Sequence, residues 1–295
     1  MDAKVDYEPR PLRVALPSRG GEMAALDFGP PERAVDIVFS HANGFNARTY
    51  RTILGPLAAD LRILAVDLRG HGATRLPTVI EGRDGWTEFR EDLLAFLRAA
   101  TEGPVILSGH SMGGTTSLLV AADAPERVTS LVLFDPVIMP REALVPAGER
   151  VHSPLVEGAL RRRAHFPSKQ AALEAYVGRG AFRSWREAQI ADYVEGGFRE
   201  APDGGVTLAC TPAWEASNFR THNYDPWAAF AKSRCPIDIR RAEHDSTCRV
   251  EGHEAELTAS GRIRIAVIPG TTHFLPMERP DLVVEALRAA AAARD

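Results

Sequence analysis

Cysteine is scarce in this chain. Three cysteines, Cys210, Cys235 and Cys248, occur in 295 residues. That number, without a spacing pattern, excludes a disulfide framework and a four-ligand zinc site. The three are read as small buried or half-buried residues. Long apolar runs are missing too: nothing approaches the roughly 18 residues of a membrane span. The opening stretch MDAKVDYEPR also lacks the apolar segment of a signal peptide. Charge of one sign is not in excess, with 39 acids against 35 bases and a formal charge of −4. That balance gives nucleic acid or an anionic membrane no electrostatic reason to bind. No internal repeat is visible, and the one compositional bias is an alanine-rich final helix. These absences point to a cytoplasmic protein acting on a small molecule, with no metal and a homodimer as a candidate assembly. The 45% hydrophobic and 25% charged residues are those of an ordinary globular chain.

What is present is an alternation of two periodicities. Short runs rich in Val, Ile and Leu read as buried strands: Val35–Ser40, Arg62–Asp67, Pro104–Gly109, Thr129–Asp135, Pro236–Ala242 and Arg262–Ile268. Segments with helical spacing lie between or after them, including Trp86–Ala100, Ser111–Pro125 and, after the last, Glu278–Arg294. Alternating strand and helix predict an α/β fold, a mainly parallel sheet with helices on both faces. Pro11–Ser18 and Glu22–Gly29, joined through Gly20 and Gly21, predict an antiparallel hairpin at one edge. About a hundred residues then separate the strand ending at Asp135 from the one starting at Pro236, far more than an ordinary connection needs. Residues 1–136 and 233–295 are therefore assigned to the core, and 137–232 to an inserted, mostly helical cap. The insert is rich in aromatics. Most are expected to form its own core, while Trp185 and Trp214, with Phe45 and Phe274 outside it, are candidates for an apolar pocket. The basic run Arg161–Phe166 reads as a solvated helix face, or as a partner for a substrate carboxylate.

Pro104–Leu119, PVILSGHSMGGTTSLL, runs from a strand through Gly-x-Ser-x-Gly into a helix. The pentapeptide alone is weak, since chance supplies on the order of 0.1 matches in a chain of this composition. Its setting is stronger. A sharp strand-to-helix turn exposes and aims a serine oxygen, and Gly109 and Gly113 supply the absent side chains so tight a turn requires. Ser111 is the candidate nucleophile. A serine hydroxyl needs a base, and His273, in a loop after the last strand, lies at the sheet edge where Ser111 emerges. His110 should point away from the serine, and His41 and His71 read as hydrogen bonders that brace loops. An acid must then orient the imidazole. Asp245, after the strand Pro236–Ala242, is preferred; Asp135 is the alternative, read as bracing the entrance to the insert, with Glu243 a third option. The oxyanion donors are assigned to the N–H groups of Met112 and Asn43, with Gly44 as alternate.

Taken together, HANGF, DLRGHG, GHSMGG, AEHD and GTTHF, in this order, resemble the α/β-hydrolase superfamily, its serine esterase branch with a helical cap. The resemblance covers about two hundred residues of the core and does not extend over the cap. It implies an eight-stranded, mainly parallel sheet and hydrolysis through an acyl-enzyme without a cofactor. His41-Ala42 stands where His-Gly is common, and Asn43 falls at the halide-contact position of haloalkane dehalogenases. Those enzymes use an aspartate nucleophile, so Ser111 argues against that activity. The expected function is hydrolysis of carboxylic esters of small to medium apolar substrates. Lactone, amide or carbon–carbon hydrolysis and perhydrolysis are alternatives on the same residues, and a non-enzymatic ligand-binding protein is the rival class.

Overall fold

The computed structural model describes residues 7–83, 85–143, 153–202, 204–221 and 223–294. Two strands open the chain, β1 (Arg10–Leu16) and β2 (Gly21–Phe28), followed by β3 (Ile37–Ser40), α1 (Arg51–Leu54), β4 (Ile63–Val66) and α2 (Thr87–Ala100). Next come β5 (Val105–His110), α3 (Met112–Asp123) and β6 (Val128–Phe134). The long interval holds α4 (Pro154–Leu160), β7 (His165–Phe166), α5 (Lys169–Tyr176), α6 (Glu187–Gly197), β8 (Phe198–Glu200), β9 (Val206–Leu208), α7 (Pro212–Arg220) and α8 (Pro226–Lys232). The chain closes with β10 (Ile237–Ala242), α9 (Glu254–Thr258), β11 (Ile263–Ile268), α10 (Leu275–Glu278) and α11 (Pro280–Ala292).

Eight strands form one sheet in the order β1-β2-β4-β3-β5-β6-β10-β11. The predicted hairpin of β1 and β2 sits at one edge and is antiparallel, as is the β2–β4 pair; the remaining neighbours run parallel. All six predicted core strands are present, each displaced by no more than two residues. The central strands are apolar on both sides because helices cover both faces. α2 buries Phe89, Leu93, Phe96 and Leu97 along one stripe, whereas α3 is buried from Met112 through Ala121. A helix apolar all round must lie inside. α3 is held between the sheet, α2 and α8.

Two features of the interval differ from expectation. β7, β9 and β8 form a small antiparallel sheet, with its hairpin at the predicted turn Ala201–Val206. The short polar-apolar stretches that make it are masked in sequence by the helical segments around them. α8, at the end of the stretch assigned to the cap, instead packs on α3 and places Trp227 and Phe230 in the core. Other residues of the interval also pack on the core: Phe166, Trp185, Ile190 and Tyr193 share one apolar cluster with Phe39 and Tyr50 of the sheet side. No helix among the described residues is long and apolar enough to cross a membrane.

Candidate active site

The sheet order turns back on itself between β3 and β5, and at such a point the strand ends leave a crevice. Ser40 pairs with Gly109, and His110 with Phe134, so the loops after β3, β5 and β6 start side by side. Ser111 occupies the turn between β5 and α3 with φ 54° and ψ −122°, a conformation a serine holds only when its surroundings force it. The neighbouring glycines show that force. A Cβ on Gly113 would lie 2.3 Å from the carbonyl oxygen of Ser40, and one on Gly109 would lie 2.5 Å from the carbonyl carbon of Gly113. The Ser111 N–H is fastened to the Phe134 carbonyl at 3.0 Å.

His273 follows β11 in the loop before α10, as expected. Its Nε2 is 3.0 Å from Ser111 Oγ and its Nδ1 is 2.6 Å from Asp135 Oδ2. The carboxylate beside the imidazole is thus Asp135, not Asp245. Asp135 is the residue directly after β6, has φ 42°, and is fully buried. Asp245 lies three residues past β10, exposed, on a turn with φ 52°. Glu243 is also exposed and accepts from the Gly270 N–H at 2.7 Å. The loop expected to carry the acid instead supplies its donors. Oδ1 of Asp135 accepts from the Ala242 N–H at 2.9 Å and Ser246 Oγ at 2.5 Å, and Oδ2 accepts from the Thr247 N–H at 3.0 Å. Burial alone would raise the Asp135 pKa, but the bonds from His273, Ser246 and the Ala242 N–H hold it below the usual carboxylate range.

The loop after β3 offers several N–H groups, and most have partners. Ala42 N–H reaches Tyr50 Oη at 3.3 Å, Gly44 N–H reaches His71 Nε2 at 3.0 Å, and Phe45 N–H closes on the Ala42 carbonyl at 3.1 Å. The Asn43 N–H bonds to none of the described residues. Met112 opens α3, so its N–H has no acceptor within the helix. The loop-bracing histidines are where the sequence puts them: His41 Nε2 accepts from the Leu68 N–H at 2.9 Å, and His71 Nδ1 donates to the Arg69 carbonyl at 2.9 Å. The Asn43 side chain is buried. It turns to α7, donating to the Glu215 carbonyl at 3.1 Å and accepting from Asn218 Nδ2 at 2.8 Å.

Of the four pocket candidates, three meet. Phe45 stands edge-on to Trp185 at 5.1 Å and stacks with Phe274 at 6.3 Å, next to the His110 and His273 rings. Trp214 does not join them. It is buried against Phe89 under the Arg83 guanidinium, and its Nε1 donates to the Arg69 carbonyl at 3.0 Å, a packing role. Of the basic run, Arg162 is not solvated: it pairs with Glu215 at 2.5 Å and donates to Tyr193 Oη. Its charge is therefore neutralised within the protein.

A series Ser–His–Asp, with two N–H groups in the adjoining loops that find no partner among the described residues, is an arrangement for nucleophilic attack on a carbonyl. The comparisons with known proteins agree with the architecture. A 2-(acetamidomethylene)succinate hydrolase of Mesorhizobium japonicum is 25% identical over 256 residues, covering 85% of this chain and 86% of that protein. Esterase Rv0045c of Mycobacterium tuberculosis is 33% identical over 169 residues, 57% of this chain and 53% of that protein. Among solved structures, that of E-2-(acetamidomethylene)succinate hydrolase superposes with a TM-score of 0.77 at 22% identity, covering 97% of this chain and all of that one. Residues 37–286 match the family model described as alpha/beta hydrolase, and the chain belongs to that family.

Proposed function

We propose that this protein is a serine hydrolase that cleaves carboxylic esters of small to medium apolar substrates through an acyl-enzyme. The observation that carries the reading is His273, within hydrogen-bond reach of Ser111 on one ring nitrogen and of buried Asp135 on the other. Ser111 Oγ attacks the ester carbonyl while His273 Nε2 takes its proton. Asp135 accepts from Nδ1–H, fixing the tautomer and stabilising the imidazolium. The N–H groups of Met112 and Asn43 receive the oxyanion. The intermediate collapses as His273 gives its proton to the leaving alcohol, and a water molecule, deprotonated by His273, releases the acid and restores Ser111. Phe45, Trp185 and Phe274 line the apolar side of the pocket, and the segment before α8 serves as its cap.

An alkoxyphosphonate probe tests the chemistry. Ser111 should be labelled in the native protein and not in Ser111→Ala, whose kcat should fall about a million-fold. An unlabelled native protein, where a control esterase labels fully, would sink the reading. One observation favours amide cleavage as a second reading: a relative covering 85% of the chain is named for an acetamido compound. A rate panel of esters, N-acyl compounds and lactones decides between them.

A further inference from the structure

His110 and Tyr50 are fully buried, hydrogen-bonded, and unused by the reaction just described. His110 Nε2 lies 2.7 Å from the carbonyl oxygen of His273, and its Nδ1 lies 2.8 Å from Tyr50 Oη. Tyr50 Oη in turn lies 3.3 Å from the Ala42 N–H.

The directions of these bonds follow from chemistry. A carbonyl only accepts, so His110 Nε2 carries a hydrogen. Burial, reinforced by the charge on His273, lowers the His110 pKa to about 3, so the ring is neutral and its Nδ1 is an acceptor. Burial raises the Tyr50 pKa; the phenol keeps its proton and donates it to Nδ1. That leaves the phenol oxygen to accept from Ala42. The series therefore runs one way, from Ala42 N–H through Tyr50 and His110 to the backbone of His273, with each donor and acceptor used once.

Its two ends are the loops that matter most. Ala42 precedes Asn43; its N–H is engaged by Tyr50, while the next N–H bonds to none of the described residues. At the other end the bond holds the backbone of the base itself. We propose that Tyr50 and His110 are positioning residues that hold the Asn43 loop and the His273 loop in one frame behind Ser111, so that base and oxyanion donor keep a fixed separation. The proposal rests on the acyl-transfer reading above. A misplacement of even 1 Å between such groups can cost about a hundred-fold in rate.

Tyr50→Phe removes only the hydroxyl and keeps the ring against Phe39, 4.7 Å away. It should lower kcat about tenfold with KM nearly unchanged. His110→Ala should cost more, and His110→Gln, which restores a donor near the Nε2 position, should recover part of the loss. The downfield proton resonance of His273 Nδ1–H, assigned by its absence in Asp135→Asn, should broaden or shift in Tyr50→Phe. Folded variants with kcat within twofold of the native value and an unmoved resonance would overturn the proposal. A native protein without hydrolytic activity or probe labelling would instead overturn the acyl-transfer reading, and the resonance would still decide whether Tyr50 and His110 position His273.

Discussion

Asp135 and Asp245 are the residues at which sequence and structure part. Both follow a strand, both adopt positive φ, and both precede His273 in the chain. They differ in burial, and burial decides. A carboxylate at 0% exposure must be fully bonded, and Asp135 takes bonds from His273, Ser246 and two backbone N–H groups. Asp135→Asn should lower kcat about ten-thousand-fold, since an amide favours the wrong tautomer, and Asp245→Asn should stay within about twofold; a steady-state assay of both checks the assignment. The signal in the sequence was adjacency. Asp135 abuts the apolar run LVLF with no loop between, whereas Asp245 is separated from its strand by polar residues. Ser111 and His273 were legible because each sits at a junction whose geometry the flanking residues dictate. Trp214 was not, because an aromatic residue reads alike whether it lines a pocket or fills a core.

At the scale of elements, the strands were legible because parallel, doubly covered strands leave short uninterrupted apolar runs. The insert's small sheet was not, because its two- and three-residue strands carry too few residues for a period to show. Nor does a sequence reveal that α7 grips the loop after β3. Asn218 donates to Asn43 Oδ1, and the Glu215 carbonyl accepts from Asn43 Nδ2. A helix of the insert is thereby tied to the loop after β3. Asn218→Ala should leave the fold intact and lower kcat for every ester by about tenfold, rather than shifting preference among esters. A comparison of kcat across acyl lengths tests this, and a change confined to one substrate class would contradict it.

The whole molecule carries a pH dependence unrelated to catalysis. His41, His71 and His110 are buried and neutral. Burial lowers all three, His71 to about 4, His110 to about 3 and His41 well below the ordinary range. In the unfolded chain each takes a proton near pH 6.5. Asp67 works in the other direction: burial raises it to about 6, so it holds in the folded state a proton that the unfolded chain releases. Between pH 6 and 4 the unfolded state thus binds about two more protons than the folded one. Where the unfolded state binds more protons, stability rises with pH, here by roughly 2–3 kcal/mol per unit. Urea midpoints at pH 7, 6 and 5 should fall in that order; a flat or rising series would refute it.

The site draws on loops after β3, β5, β6, β10 and β11, so its members are spread from Asn43 to His273 along the chain. His273 is tied to the Ser111 turn through the end of the chain: among the described residues β11 pairs with β10, and β10 reaches β6 across the whole insert. A domain folds as a unit, so the imidazole of the proposed base reaches Ser111 only when nearly the whole chain is in place. A C-terminally truncated product would lack His273 and so, on the proposed mechanism, any means of drawing a proton from the Ser111 hydroxyl.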